Sequence, residues 1–160
     1  MNKVQYLTLY IGKEIFAVEV LRIKEIIPND YITFIPLMQP YITGVMNVRG
    51  DVVPILDLSK RVELNIDISE DRKSIVIVSV TYDDVKTDIG IIVSMVNKVF
   101  EHSINELESS PAFGSKIKKE FIKQIAKVDD EFIPILDLDK ILDINDLSKT
   151  MQNIGENDEA

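Results

Sequence analysis

One stretch of this chain is written twice, and that repeat limits what the chain can fold into. Residues 41–64 align without a gap with residues 121–144. Pro54-Ile55-Leu56-Asp57-Leu58 is matched letter for letter by Pro134-Ile135-Leu136-Asp137-Leu138, and Lys60 meets Lys140. Each copy reads as strand, tight turn, strand and a short helix that starts near Asp57 or Asp137. Val45, Val48, Val52, Val53 and Ile55 supply β-branched bulk, and Gly50 is free to take the positive φ of a tight hairpin. The turn sets the register, and the register decides which side chains reach the core.

Two copies allow the sequence to be compared with itself. Positions alike in both follow from the shared fold: Ile42 with Ile122, Val48 with Val128, and the Pro-Ile-Leu-Asp-Leu run. Positions that differ in kind are where function has room. Asn47, Arg49 and Gly50 become Lys127, Asp129 and Asp130, so arginine is not a requirement of the turn. Arg49 is either a solvated turn residue or a recognition residue whose fork of donors fixes a partner's oxygens. Asn47 has the same two readings, since its amide can bond within the hairpin.

Gly44-Val-Met-Asn-Val-Arg-Gly50 followed by Val53-Pro-Ile-Leu-Asp-Leu58 resembles the signature of the CheW family, the coupling proteins of bacterial chemotaxis. Val48 stands where leucine is usual. The resemblance spans residues 3 to 145 and implies an all-β fold with a few short helices. That fold is two intertwined five-stranded SH3-like barrels with a groove between them. A single domain over 1–148 is expected, its two barrel subdomains dividing approximately near 64–84, with a flexible acidic tail over 149–160. The resemblance further implies a non-catalytic, cytoplasmic adaptor recruited to membrane receptor arrays. It would join the signalling tips of methyl-accepting chemoreceptors to the regulatory domain of the histidine kinase CheA.

Composition agrees with that reading. Nearly half the residues are apolar, enough for a core in 160 residues. A net charge of −9 disfavours a nucleic-acid partner. Without cysteine there is no disulfide framework and no thiolate site. No apolar run is long enough to span a bilayer, and Met1 to Tyr6 lacks a signal core.

Elsewhere, Val4 to Ile11 and Ile15 to Val20 flank a turn at Gly12-Lys13, and a mostly apolar strand continues through Ile27. Ala17 to Ile27 finds a loose echo in Gly90 to Phe100, in the same order relative to the hairpins. Ser74 to Val80 and Val85 to Ser94 read as strands about a turn at Tyr82-Asp83-Asp84, and Glu106 to Glu108 as a helical turn. Ile117, Phe121 and Ile125 have helical spacing, but the repeat makes 121–128 a strand. Many short strands with turns between them indicate small barrels.

Catalytic groups are scarce. His102, the one histidine, reads as a surface turn residue after a strand, and neither a metal nor a cofactor is expected. Asp137 to Asp146 superficially resembles a calcium loop but has Leu142 where glycine is needed and Ile141 where an oxygen is needed. Asp57 and Asp137 read as helix caps. Lys116, Lys118, Lys119, Lys123 and Lys127 form a local basic patch, best read as a solvated face. The alternative to an adaptor is a small-ligand or enzymatic barrel using carboxylates such as Asp51 and Asp57. A deep polar cleft would favour the enzyme; flat apolar patches would favour the adaptor.

The resemblance places receptor binding at Gly44, Asn47 and Arg49, with Glu25, Gly90 and Val96 as further candidates. Gly44 and Gly90 serve equally well as fold glycines. It places kinase binding at Leu7, Val20 and Ile23, which also read as core, and a second, ring-building contact at Phe113. Glu108 stands near Phe113 where a basic residue is expected.

Overall fold

The computed structural model describes residues 3–28, 33–34, 42–62, 74–82, 84–103 and 119–142. Eleven strands are seen: β1 (Lys3–Ile11), β2 (Glu14–Glu19), β3 (Ile23–Pro28), β4 (Thr33–Phe34), β5 (Ile42–Val48), β6 (Asp51–Asp57), β7 (Ser74–Tyr82), β8 (Val85–Val93), β9 (Met95–Ser103), β10 (Ile122–Val128) and β11 (Glu131–Leu136). Short helices α1 (Leu58–Arg61) and α2 (Leu138–Ile141) follow the two repeated hairpins. The periodicity conflict at 121–128 resolves in favour of the repeat: β10 is a strand, and Phe121 ends a 3-10 turn before it.

The strands form two sheets, in the orders β10-β11-β2-β1-β9 and β3-β7-β8-β6-β5-β4. Apart from the two-residue β4 the orders are the same, and the repeat explains why. Hairpin β5–β6 pairs in parallel with β8 at Ile55 and Gly90; hairpin β10–β11 pairs in parallel with β2 at Ile135 and Ala17. The loose echo of Ala17 in Gly90 is therefore structural equivalence. Each copy, however, contributes to both sheets. β1 and β2 lie with β9, β10 and β11, while β3 crosses to pair with β7. A division near 64–84 separates the two copies but not the two barrels.

The crossover corrects one expectation. The continuous strand through Ile27 is broken by a 3-10 turn over Val20–Arg22, because the chain must leave one sheet for the other there. Three apolar clusters result. Met46, Val53, Ile55, Ile75, Ile77 and Ile92 fill the first hairpin's barrel; Tyr6, Ala17, Ala126, Ile133 and Ile135 fill the second. The largest lies between the sheets and draws on both, from Leu7, Leu9 and Phe16 to Leu56, Val76, Ile91 and Leu136. Asp57 and Asp137 cap the helices as expected. Asp57 Oδ1 accepts from the Ser59 N–H at 3.1 Å, and Asp137 Oδ1 from the Lys140 N–H at 3.3 Å.

Candidate functional site: the Arg49 hairpin and the crossover turn

Arg49 and Gly50 both have positive φ, 55° and 89°. A two-residue hairpin loop with both φ values positive matches the twist of its strands, but favours Asn, Asp and Gly. The second copy complies, with Asp129 and Asp130 at 51° and 64°. Arginine in this conformation carries about 1–2 kcal/mol of steric cost, and it breaks the local rule without any gain to the turn. Asn47 holds the turn instead, its Oδ1 accepting the Gly50 N–H at 2.9 Å. Arg49 Nη2 reaches Glu25 Oε1 on β3 at 3.2 Å, tying the turn to the sheet's far edge. The fold thus unites two candidates that sequence separates. The Arg49 side chain remains 76% exposed, leaving donors turned to water.

The other receptor candidates lie deeper. Gly44 is buried in β5, opposite Phe34 of β4. Gly90 is buried too, and an added Cβ would lie 2.5 Å from Ile55 Cδ1 and 2.9 Å from Ile75 Cγ2, which fits its reading as a fold glycine. Val96 is half-buried on the other sheet, packed against the shared core.

Among kinase candidates Leu7, at 6% exposure, packs in the core between the sheets, the other of its two readings. Strands buried on both faces read as continuous apolar runs, which hides the difference in sequence. Val20 and Ile23 are half-buried against that core, on the crossover turn and the start of β3. Between them stands Leu21, 92% exposed, which the sequence reading missed. The signal was available: in the echo alignment its counterpart is Ser94. Phe113, Glu108 and the expected helical turn at 106–108 lie outside the described residues, as does the acidic tail.

With this geometry in hand, comparison with known proteins is decisive. The family model for the CheW-like domain matches residues 5–146. The chain belongs to the CheW-like family. It is 35% identical over 133 residues to the chemotaxis protein CheW of Bacillus subtilis, covering 82% of this chain and 81% of that one. The Thermotoga maritima CheW is 29% identical over 146 residues, with 89% and 90% covered. Among solved structures, the scaffolding protein TtCheW from Thermoanaerobacter tengcongensis superposes with a TM-score of 0.76 at 28% identity, covering 90% of this chain and 95% of that one. The two-barrel, SH3-like architecture of this CheW-like chain is therefore that of its family, and the family is one of non-catalytic scaffolds.

Several other polar groups described in this CheW-like domain serve the fold. Asp51 and Asp57 lie at opposite ends of β6, about 20 Å apart at the usual rise per residue, so the carboxylate pair of the enzymatic alternative does not form. Asp57 is buried at the helix cap, where its Oδ1 also accepts from the Ser59 hydroxyl at 2.6 Å. His102 lies within β9, not after it, and its Nε2 meets the Lys127 carbonyl at 3.1 Å, joining the two edges of its barrel. No metal-binding cluster of His, Asp or Glu occurs among the described residues. A small cleft between the crossover turn and α2 is bordered by two ion pairs, Arg22–Asp139 at 2.9 Å and Lys123–Glu19 at 2.8 Å. The Glu19 carboxylate raises the Lys123 pKa above the ordinary lysine value. Lys24, at 2.7 Å, is the main cause holding the Asp88 carboxyl below its usual range, helped by the Ser79 hydroxyl at 2.9 Å. Of the expected basic patch, Lys123 is taken up by Glu19 and Lys127 lies over the Phe132 ring at 5.8 Å. No helix among the described residues is long and apolar enough to cross a membrane.

Proposed function

We propose that this chain is a non-catalytic chemotaxis adaptor that physically couples chemoreceptors to the histidine kinase CheA, so that receptor conformation controls the kinase. The observation that carries the reading is Arg49: a strained, largely exposed arginine on the family's signature hairpin, held by Glu25, where the second copy closes the same turn with aspartates. Strain kept where the fold does not need it points to function. On this reading Arg49, Glu25, Asn47 and Gly44 form the contact for a receptor's cytoplasmic helical tip, with Arg49 supplying the directional donors. Val20 and Ile23 border the contact for the kinase's regulatory domain. The adaptor works in the cytoplasm, recruited to receptor arrays through these contacts. Two contacts on one rigid body raise the kinase's effective concentration at the receptor, with no chemistry of the adaptor's own.

The test is binding of the purified chain to a receptor signalling tip and to a CheA regulatory domain. Both are expected to bind, and Arg49→Ala to weaken the receptor alone. Binding to neither partner overturns the adaptor. Loss of both partners in Arg49→Ala, or its unfolding, makes Arg49 structural.

A further inference from the structure

We propose that Lys24, Asp88 and Ser79 are positioning residues for the receptor contact, fixing the β-bulge that aims Glu25 at Arg49; this rests on the adaptor reading above and deepens its receptor side. In β3, Ile23 lies opposite Val78 of β7 and Glu25 opposite Ile77, so Lys24 is one residue more than β7 has to match. An extra residue turns every later side chain to the other face of the strand. The packing shows the exchange. Ile23 packs into the core between the sheets, whereas Ile27, four residues on, packs into the first hairpin's barrel. Strict alternation would put both on one side, and Glu25 with Ile23, facing the shared core. The bulge instead sends Glu25 the way of Ile27, and its carboxylate meets Arg49 Nη2 at 3.2 Å.

The duplicated fold shows what holds such a bulge. β9, the counterpart of β3, bulges at the same place: Val96 lies opposite Leu9 and Val99 opposite Leu7. The faces exchange there too, with Val96 against the shared core and Phe100 against the second barrel's. The buried Thr8 clamps this bulge, its Oγ1 accepting the Lys98 N–H at 3.0 Å and donating to the Lys98 carbonyl at 2.8 Å. Thr8 lies opposite Ala17, the counterpart of Gly90, and opposite Gly90 stands Ile77. Isoleucine has no group to clamp with. The first bulge is therefore held by its own extra residue. Lys24 Nζ donates to Asp88 Oδ2 at 2.7 Å, and the Ser79 hydroxyl, across the β7–β8 ladder, donates to Asp88 Oδ1 at 2.9 Å. Three strands meet at that one carboxylate.

An outer clamp differs in kind from an inner one. Thr8 is fully buried, but the Lys24 and Asp88 side chains are 53% and 24% exposed, so their ion pair adds little to stability and the fold survives its loss. What the pair controls is aim. β3 is an edge strand, paired with β7 alone, and without the anchor on its extra residue it is free to slip towards even alternation. Glu25 then leaves Arg49, and the exposed guanidinium loses the carboxylate that orients it. A directed arginine binds a partner's oxygens without first having to be ordered; an undirected one does not. Val20 and Ile23 come before the bulge and stay packed against the shared core, so kinase affinity is not expected to follow.

The experiment uses the full chain as wild type, Lys24→Met, Lys24→Arg and Asp88→Asn, with Lys24→Met also placed in the Arg49→Ala and Glu25→Gln backgrounds. It measures melting temperature and affinity for a receptor signalling tip and for a CheA regulatory domain. Lys24→Met and Asp88→Asn are expected to bind the receptor about threefold or more weakly and the kinase domain within about twofold of wild type. They should melt within about 4 °C of wild type, and Lys24→Arg should match it throughout. A positioning residue acts through what it positions, so Lys24→Met should change receptor affinity by less than about twofold once Arg49 or Glu25 is altered. Loss of the same factor in every background means that Lys24 touches the receptor itself or merely supports the fold, and overturns the proposal. Unchanged receptor affinity in Lys24→Met, where Arg49→Ala weakens it, refutes the positioning and leaves the adaptor standing. If Arg49→Ala binds the receptor like wild type, there is no contact to aim and the positioning falls with it. Wild type that binds neither partner ends the adaptor reading and the positioning together. Loss of both partners in Lys24→Met makes the pair structural and also overturns the proposal.

Discussion

Gly90→Ala separates a packing glycine from a contact glycine. On the existing backbone the new Cβ would sit 2.5 Å from Ile55 Cδ1, 2.9 Å from Ile75 Cγ2 and 3.3 Å from Ile77 Cδ1. Carbon atoms attract best at about 3.5–4.0 Å, so at least two of these contacts are repulsive. All three isoleucines are at most 1% exposed, within one barrel's own core, and have nowhere to swing. Overpacking of this kind costs about 1–3 kcal/mol. Against it, removing a glycine from the unfolded chain returns about 0.4–1 kcal/mol, which leaves a net loss of about 1–2 kcal/mol. For a chain of this size each kcal/mol lowers the melting temperature by about 2–4 °C. The assay is urea denaturation followed by circular dichroism, read as a lower midpoint at unchanged slope. The second barrel shows what makes room: Ala17, the counterpart of Gly90, lies opposite Thr8, whereas Gly90 lies opposite the bulkier Ile77. A Gly90→Ala protein that keeps its midpoint but loses receptor affinity would refute this reasoning and return Gly90 to the surface.

Arg49→Asn installs a residue suited to positive φ, so stability should hold or rise by about 1 kcal/mol while receptor affinity falls; denaturation and binding measured on the same sample check it. Arg61 donates to the Ile141 and Lys140 carbonyls and lies 5.0 Å from the Phe121 ring, joining α1 to the other copy's helix. Arg61→Met keeps the stem but loses these, and should cost about 1–3 kcal/mol by urea titration. Asp88, with its pKa lowered in the folded state, contributes stability that is present above its unfolded pKa and lost as pH falls through the folded one. Lys24→Met should therefore flatten the acid limb of stability against pH. The raised Lys123 pKa acts oppositely: its contribution is full below the unfolded value and lost as pH rises through the folded one, so Glu19→Gln should flatten the alkaline limb.

What the sequence made legible was the repeat and whatever the repeat implies: the hairpins, their helix caps, and the strand at 121–128 that periodicity alone would mislabel. What it hid is specific. Leu7 and Leu21 are the same residue type in apolar surroundings, yet one is 6% exposed and the other 92%. Burial of Leu7 depends on β1 facing a core on both sides, and exposure of Leu21 on a 3-10 turn that interrupts the alternation. Neither follows from local pattern, because both are set by where the chain changes sheets. The Arg49–Glu25 pair was hidden for the same reason: Glu25 comes from the edge strand β3 and Arg49 from the β5–β6 turn, with β7 and β8 between them in the sheet order.

The change of sheets also accounts for how a small protein of this kind can work as a coupler. Parallel strands cannot be joined by a hairpin and need a long connection. Here the parallel partners come from opposite copies: β6 of the first needs β8 of the second, and β11 of the second needs β2 of the first. Neither repeat can therefore complete its barrel alone. The core between the sheets adds Leu56, Val76 and Ile91 from one to Leu7, Leu9 and Leu136 from the other. Two domains joined by a linker would move relative to one another by default, and motion at one contact would be lost before it reached the other. Two barrels woven from exchanged arms have no such freedom, since relative rotation would break ladder hydrogen bonds in both. A rigid body of this kind transmits orientation as well as proximity between partners held at separate faces, which a flexibly linked pair of domains would not do.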